Sequence, residues 1–500
     1  MSASVVPLRA RQTRQWATGR LSQNDPAWNV YTRPADADLR HGLGLIRARS
    51  RELCQNSDHA RGFLRIVRNN IVGAPGFVLQ SRAQRANGKP DQQVREALES
   101  SWKEWGRRGN CEVSGRFSWR ELQRHIVETV ARDGEAFVRI LAPWDSKWGM
   151  ALQIIDPEAV DIDFVGEFEG REIRMGVELD AYRRPVAYWV REEPMLNRSS
   201  YRVGDRFRIP ADEMLHIYRA ELSWQTRGVP WLATSAGRLH MIQSTEDAEV
   251  TAARASAAKF AGYEAQEWAP PPEPAGNNLV DVNGNPLTTD PGAFSQDVAP
   301  GSMEVVPWGY KLNMYDPQHP NAAMPDFLKW GLRSVATGGG VSYNTLGNDA
   351  EGVNYTSLRF FLGVERDNWM EAQDWFEAEL PEPVRAVWTD TQIAMGTVQY
   401  RPNRAAELHR VKWQPRRWEG PDPAKQSKAD ETELSIGTTT LTEIAARKGR
   451  DLDDMIGERV REIARIKAAA EAAGLTLADV LPAMSVAKPE NPMEPDDDDD

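Results

Sequence analysis

The sequence predicts an α+β protein whose helices and strands are grouped rather than strictly alternated. Helix-period segments fill both ends of the chain, while residues 152–218 turn to short β runs, LQIID, MGVEL, VAYWV and EMLHIY, with no helix between them. A third observation separates the chain from an ordinary α+β domain. Residues 227–260, RGVPWLATSAGRLHMIQSTEDAEVTAARASAAKF, keep one helical period for longer than any other segment, with polar or Pro-rich chain on either side.

Composition narrows the classes. A hydrophobic content of 41% over 500 residues is enough for real cores in about two to four structural units. Lys plus Arg number 61 against 73 for Asp plus Glu, and a formal charge of -12 argues against a dedicated duplex-gripping protein. Two cysteines, Cys54 and Cys111, make neither a disulfide framework nor a metal-ligand spacing, as in a reducing compartment. The N-terminus has arginines but no apolar signal core, and no run of eighteen apolar residues follows, so a soluble protein made in the cytoplasm is expected.

Taken in order, residues 1–36 mix Arg, Gln, Asn, Pro and Asp without period and predict a mobile arm. Leu39, Leu43 and Ile46 start a helix that runs into Arg47, Arg49 and Arg51. A second helix, capped by Ser57, presents Phe63, Ile66 and Val67 before the glycines at 73 and 76 break it, and a strand follows at 77–80. Leu98, Trp102 and Trp105 mark another helix. Ser118 with Glu121 forms a capping box for a helix that stops at Asp133-Gly134 and gives way to a strand over 136–141.

After the β region, Pro230 supplies a fixed φ and no N–H for a first helical turn. Leu232, Ala236, Leu239, Ile242, Val250, Ala253, Ala257 and Phe260 then mark the contact stripe, at spacings of three and four except where it thins after Ile242. Glu246, Asp247 and Glu249 crowd the middle. As one helix the segment would run roughly 45–50 Å, more than a small domain needs, and by spacing alone it reads as a long core helix with a solvated acidic face. Residues 268–294, rich in Pro, Gly, Asn and Asp, read as an excursion that returns through the strand-like MEVVPW to a helix over 321–336 carrying Met324, Phe327, Leu328, Leu332 and Val335. Glycines 338–340 lead into a loop and a helix through Trp369 and Phe376, closed by Pro381 and Pro383. A last helical region carries Ile456, Val460 and Ile463 on one stripe, and the chain ends in Pro-rich residues and five aspartates, which predict disorder.

No motif points to catalysis or to a cofactor. Gly88-Lys89 is followed by Pro90 and the glycines at 338–340 by no lysine, so no P-loop is present, and there is no H-x-x-x-H, C-x-x-C or G-x-S-x-G. His216 and His240 stand alone in apolar patterns and read as core histidines. Asp161 with Asp163 reads as the wet face of a strand before it reads as a metal pair, and the arginines at 47, 49, 51, 61, 65 and 68 read as partners in salt bridges between subunits before phosphate contacts.

The linear order of segments nonetheless resembles one family. RARSREL with NSDHARGFLRIVRNNIVGAPGFVLQ, then FSWRELQRHIVETVARDGEAFVRIL, LQIIDPEAV, GVELDAYRRPVAYWV, IPADEMLHIYRAE, the long segment at 227–260 and LGNDAEGVNYTSLRFF resemble, in that order over residues 28–420, the portal proteins of tailed bacteriophages, specifically the lambda-like portal family. The resemblance implies a portal fold of wing, stem, clip and crown, assembled as a cyclic ring, usually of twelve copies, with a central channel at one capsid vertex. It implies no catalytic residue, metal or cofactor. Implied partners are other copies of the chain, the terminase large subunit, a head-tail adaptor, major capsid and scaffold proteins, and transiently held, non-sequence-specific double-stranded DNA. The implied location is the virion, with assembly in the host cytoplasm. A channel-free minor head or scaffold-like protein, or a particle-associated nuclease or protease, is the alternative.

Mapped onto the sequence, the resemblance implies a mobile arm at 1–36, an α+β wing at 37–226, a stem helix at 227–262, a clip at 263–320 and a second stem helix at 321–337. A channel loop with the remaining wing helices then occupies 338–423, a crown-like helical region 424–475, and a disordered acidic tail 476–500. Candidate channel-lining residues are Glu246, Glu249, Asp247, Lys259, Lys329 and Arg333, candidate channel-loop residues Ser342, Tyr343, Asn344 and Asn348, and candidate subunit contacts Trp231, Leu232, Arg238 and Arg254. Glu246 and Glu249, three apart, are expected to share a face, with Asp247 about 100° round from Glu246. The acids either face a channel or pair with Arg238, Arg254 or Lys259 between neighbouring copies.

Overall fold

The computed structural model describes residues 34–85, 87–191, 206–257, 261–265, 310–314, 323–349, 351, 354–397, 405–418, 423–448, 450 and 452–474. Residues 1–33 of the arm expected over 1–36, the run MEVVPW, Lys259 and the acidic tail lie outside the described residues, whereas Ala35 and Asp36 open a helix and Asp36 is buried, accepting from the Thr226 amide and hydroxyl. The chain divides into two compact units, one formed by Met1–Glu52, Leu64–Ala233 and Asn354–Asp500, the other by Leu53–Phe63 and Thr234–Val353.

The first elements follow their sequence signals. Helices α1 (Ala35–Asn56) and α2 (Asp58–Ile71) are separated at Ser57, whose hydroxyl accepts from the Ala60 amide. Strand β1 (Val78–Ser81) and α3 (Gln92–Trp105) precede α4 (Trp119–Asp133), which opens on the Ser118–Glu121 capping box and ends at Gly134 in the left-handed region, φ 91°. The next strands are β2 (Glu135–Leu141), β3 (Ala151–Ile155), β4 (Gly166–Phe168), β5 (Arg171–Arg174), β6 (Val177–Leu179), β7 (Pro185–Arg191), β8 (Arg206–Pro210) and β9 (Met214–Tyr218). They form two antiparallel sheets, one of order β3-β2-β9 and one running β4 to β8 in sequence order. Between them Phe137, Ile155, Val160, Val177, Tyr188, Ile209 and Met214 form one apolar cluster.

The long helical segment is shorter than its period suggests. Helix α5 spans Ala236–Ala257, residues 231–235 form turns, and 227–230 are neither helix nor strand. Pro230 therefore does not sit at the first helical position. The cause is tertiary: the Trp231 amide donates to the Ala131 carbonyl at 3.1 Å, and Arg227 and Gly228 are held against β2.

Strands β10 (Ala261–Ala265) and β11 (Tyr310–Met314) pair antiparallel, so the excursion leaves and returns side by side. Helices α6 (Met324–Gly338), α7 (Tyr343–Gly347) and α8 (Tyr355–Glu379) follow. Helix α8 ends at Glu379, just before Pro381 and Pro383, as expected, but no loop follows. Pro381 instead begins α9 (Pro381–Ala394), because proline in a first helical turn removes an N–H that would be unpaired there. Beyond α10 (Ala405–Leu408), β12 (Val411–Gln414) pairs antiparallel with β1, a strand without a local signal. The last described elements are α11 (Pro423–Ile436), α12 (Leu441–Arg447) and α13 (Leu452–Ala472).

A second core is aromatic. Around Trp102 stand Trp105, Trp119, Trp388 and Trp413, with ring centroids 4.7–5.9 Å from it, drawn from α3, α4, α9 and β12. Each such pair contributes about 0.5–1.5 kcal/mol beyond the area it buries, so this cluster ties the C-terminal strand and α9 to the N-terminal helices.

Candidate functional site

The larger unit is organised around a buried carboxylate. Glu135, the first residue of β2, is fully buried; its oxygens accept from Arg47 Nη2 at 2.6 Å, Arg227 Nη2 at 2.6 Å and Nε at 2.9 Å, and the Gly228 amide at 3.0 Å. His216 Nε2 lies 2.9 Å from it. Arg227 also donates from Nη1 to the carbonyls of Met175 (2.5 Å) and Val160 (3.2 Å), and Arg47 from Nη1 to Glu158 (3.1 Å). Arg51 bridges Asp133 and Asp156 at 2.8–2.9 Å. Burial pushes the Glu135 carboxyl up, but Arg227, the His216 hydrogen bond and Arg47 together hold it well below the usual carboxylate range. Burial outweighs Glu135 at His216 and pushes the imidazole below its ordinary value, favouring the neutral ring.

Backbone geometry makes this frame possible. A Cβ on Gly228 would come within 2.1 Å of the Gly134 carbonyl oxygen, and one on Gly134 within 2.5 Å of Val229, so both positions require glycine. Three readings of the sequence change here. Arg47, Arg51 and Arg68 pair within their own chain, Arg68 with Glu128 at 3.0 Å. Asp161 is buried, outside any strand, and paired with Arg191 and Arg206, which draws it away from the metal reading and from a wet face alike. His216 is the hydrogen-bonded core histidine expected, whereas His240 is exposed. Among the described residues, no group of three or more His, Cys, Asp or Glu could hold a metal ion, and no helix is long and apolar enough to cross a membrane.

The smaller unit is built on an antiparallel hairpin of α5 and α6. Ile242 fills the space a side chain at Gly331 would take, 2.9 Å from its ideal Cβ, and Ser235 lies 2.4 Å from that of Gly338, which sets the register. Leu239 and Ile242 are buried on the inner stripe of α5, and Leu332, Val335 and Ala336 on that of α6. Glu246 and Glu249 continue the Leu239–Ile242 stripe at the same spacing and are half-buried, whereas Asp247 is exposed. The face expected to be shared by the two glutamates is therefore the one that turns toward α6.

The remaining candidates take varied positions. Arg238 lies 5.3 Å over the ring of Trp330, itself 61% exposed, and Arg333 5.4 Å over that of Tyr343. Lys329 Nζ is 3.7 Å from Asp349 and 3.9 Å from Glu351. Ser342 caps α7 by accepting from the Thr345 amide, the Tyr343 hydroxyl donates to Asp349 at 2.9 Å, and the Asn344 carbonyl accepts from the Asn348 amide, with Asn348 left-handed at φ 49°. Arg254 is exposed in the last turn of α5. Trp231 belongs instead to the larger unit, its ring 6.1 Å from Trp375, and Leu232 is buried there. The Arg227–Glu135–Arg47 frame escaped sequence reading because its members stand 88 and 92 positions apart and no spacing rule links them.

The larger unit thus carries a buried ionic frame, and the smaller a helical hairpin with exposed aromatic and ionic side chains. The chain belongs to the lambda family of phage portal proteins, whose family model matches residues 21–373. It is 34% identical over 461 residues to a probable portal protein of Halomonas phage phiHAP-1, covering 91% of this chain and 87% of that one. It is 21% identical over 475 residues to portal protein B of Escherichia phage lambda, covering 89% and 88% of the two chains. Among solved structures it matches the neck of a native gene transfer agent particle, with a TM-score of 0.39 and 13% identity over 83% of this chain and 93% of that one. The family is a structural, non-enzymatic component of the phage capsid.

Proposed function

We infer that copies of this chain close into a ring at one vertex of a phage capsid and pass double-stranded DNA inward during packaging and outward during ejection. The observation that carries this is the portal relationship itself, spread over residues 21–373 and, in one relative, over 91% of the chain. In this reading the ring has twelve copies, assembles in the host cytoplasm, docks the terminase large subunit at the clip and later a head-tail adaptor, and meets the major capsid and scaffold proteins. The α5–α6 hairpin serves as stem, residues 263–320 as clip, 338–349 as channel loop and 424–475 as crown.

The exposure pattern bears on the channel wall. Asp247 is the exposed acid in the middle of α5 and is the lumen candidate, while Glu246 and Glu249 lie on the stripe that continues toward α6. Repeated around a bore, an exposed acid repels a duplex carrying one charge per roughly 1.7 Å and keeps it from sticking. Purified protein viewed by negative-stain microscopy and weighed by mass photometry tests the ring. Closed particles with a central hole are expected. A monodisperse monomer at micromolar concentration, with and without the aspartate tail, defeats the reading.

A further inference from the structure

The helical region α11–α13 leaves much of its aliphatic surface exposed. Of the residues in 423–474 whose side chains are described, the buried ones are Asp430, Thr439, Ala445 and Ala470. The ties between helices are polar: Arg447 reaches Asp430 at 3.3 Å and Glu433 at 3.1 Å, and Arg450 pairs with Glu458. The Thr440 hydroxyl accepts from the Glu443 amide at 3.2 Å and the Glu443 carboxylate from the Thr440 amide at 3.1 Å, which caps α12, and the Thr439 hydroxyl donates to the same carboxylate at 2.9 Å. Ile444, Leu452, Met455 and Ile466 are half-buried, and six further large apolar side chains face out in two groups. Leu434, Ile436 (68% exposed) and Leu441 stand where α11 turns into α12, and Ile456, Val460 (60% exposed) and Ile463 follow one another on one face of α13.

Two buried alanines and four half-buried aliphatic residues make only a small core, and most helical stability in a protein comes from packing an apolar face against something. We propose that a second copy of this chain supplies the missing cover, the α13 stripe of one copy packing on the Leu434–Ile436–Leu441 corner of the next. This rests on the ring reading above. A head-to-tail contact that closes a ring needs two different surfaces on each copy, and this region carries two, matched in being aliphatic. Spacings of four and three, from Ile456 to Val460 to Ile463, are those of a helix seam rather than of scattered surface residues. Folding of this region is thereby coupled to assembly.

Hydrogen exchange by mass spectrometry on the full chain, separated by size into rings and free copies, tests the proposal. Amides in 434–441 and 452–472 are expected to exchange at least tenfold more slowly in rings than in free copies. Val460→Ser, mild enough to leave the rest of the ring in place, narrows that difference at both stretches, and a chain ending at Gly474 keeps it. Rings without slowed exchange overturn this inference alone. Loss of protection on removal of 475–500 assigns the cover to the chain's own tail, and a response at α13 without one at 434–441 breaks the pairing of the two surfaces. A preparation that forms no rings at any concentration overturns the ring reading, and this one with it.

Discussion

At the scale of single residues, the Glu135 frame makes a charge count matter. One buried carboxylate holds Arg47 and Arg227, and replacing it by glutamine leaves two guanidinium groups in a dry site with one neutral acceptor between them. Removing one partner of a buried ion pair costs about 3–5 kcal/mol, so Glu135→Gln is expected to lower stability by that order in urea unfolding at pH 7. The pH dependence has a definite sign. The folded Glu135 pKa lies below its ordinary 4.5, so its contribution is fully present above that value and is lost as pH falls further. The gap between wild type and Glu135→Gln should stay constant from pH 6 to 8 and close below about pH 4.5. A gap unchanged at pH 3 would show that the carboxylate's charge is not what the frame uses. Glu377 has the opposite sign: burial, then Glu382 and Asp374, push its pKa up to about 7, so that its charging disfavours the fold as pH rises.

At the scale of the element, α5 shows how one spacing serves two readings. Residues three apart share a face, and that holds for Glu246 and Glu249, but the face is the inner stripe that begins with Leu239 and Ile242. A lysine at 247 should therefore act on DNA, and a lysine at 246 on the hairpin. For Asp247→Lys, intact rings are expected that package DNA roughly two- to tenfold more slowly at low salt, with the defect shrinking toward 0.15 M as the Debye length falls to about 8 Å. Normal packaging at low salt would remove Asp247 from the channel wall. Failure of the rings themselves would move it to a subunit contact with Arg254 or Arg238.

At the scale of the whole molecule, the two units divide the chain unevenly. The larger takes both sheets, the tryptophan cluster and the ionic frame, and the smaller takes the hairpin, the β10–β11 pair and α7. Because β10 and β11 bring residues 261–265 and 310–314 together, the stretch between them is an excursion whose removal need not disturb its base. Deleting residues 271–294 should spare ring assembly and weaken co-sedimentation with the terminase large subunit by at least tenfold. Loss of the ring on that deletion would return the segment to the body of the fold.

Local chemistry was legible in the sequence wherever a neighbour in the chain supplies the partner. The Ser118–Glu121 box, the stop at Asp133-Gly134, the β run from 151 to 218, the helix carrying Trp102 and Trp105, and the family likeness all rest on short spacings or on segment order. The candidate channel face was only half legible, since periodicity fixes which residues share a face but not which way the face turns. Tertiary structure alone decided the rest. Arg227 reads as the start of a helix but is drawn into the protein by a carboxylate 92 positions away, so the helix waits until Ala236. The pairing of β1 with β12 likewise joins strands from opposite ends of the chain, brought together by packing that includes five tryptophans rather than by any signal of their own. A buried charge or an edge strand takes its partner from whatever the fold brings near, and distance along the chain carries no information about that choice.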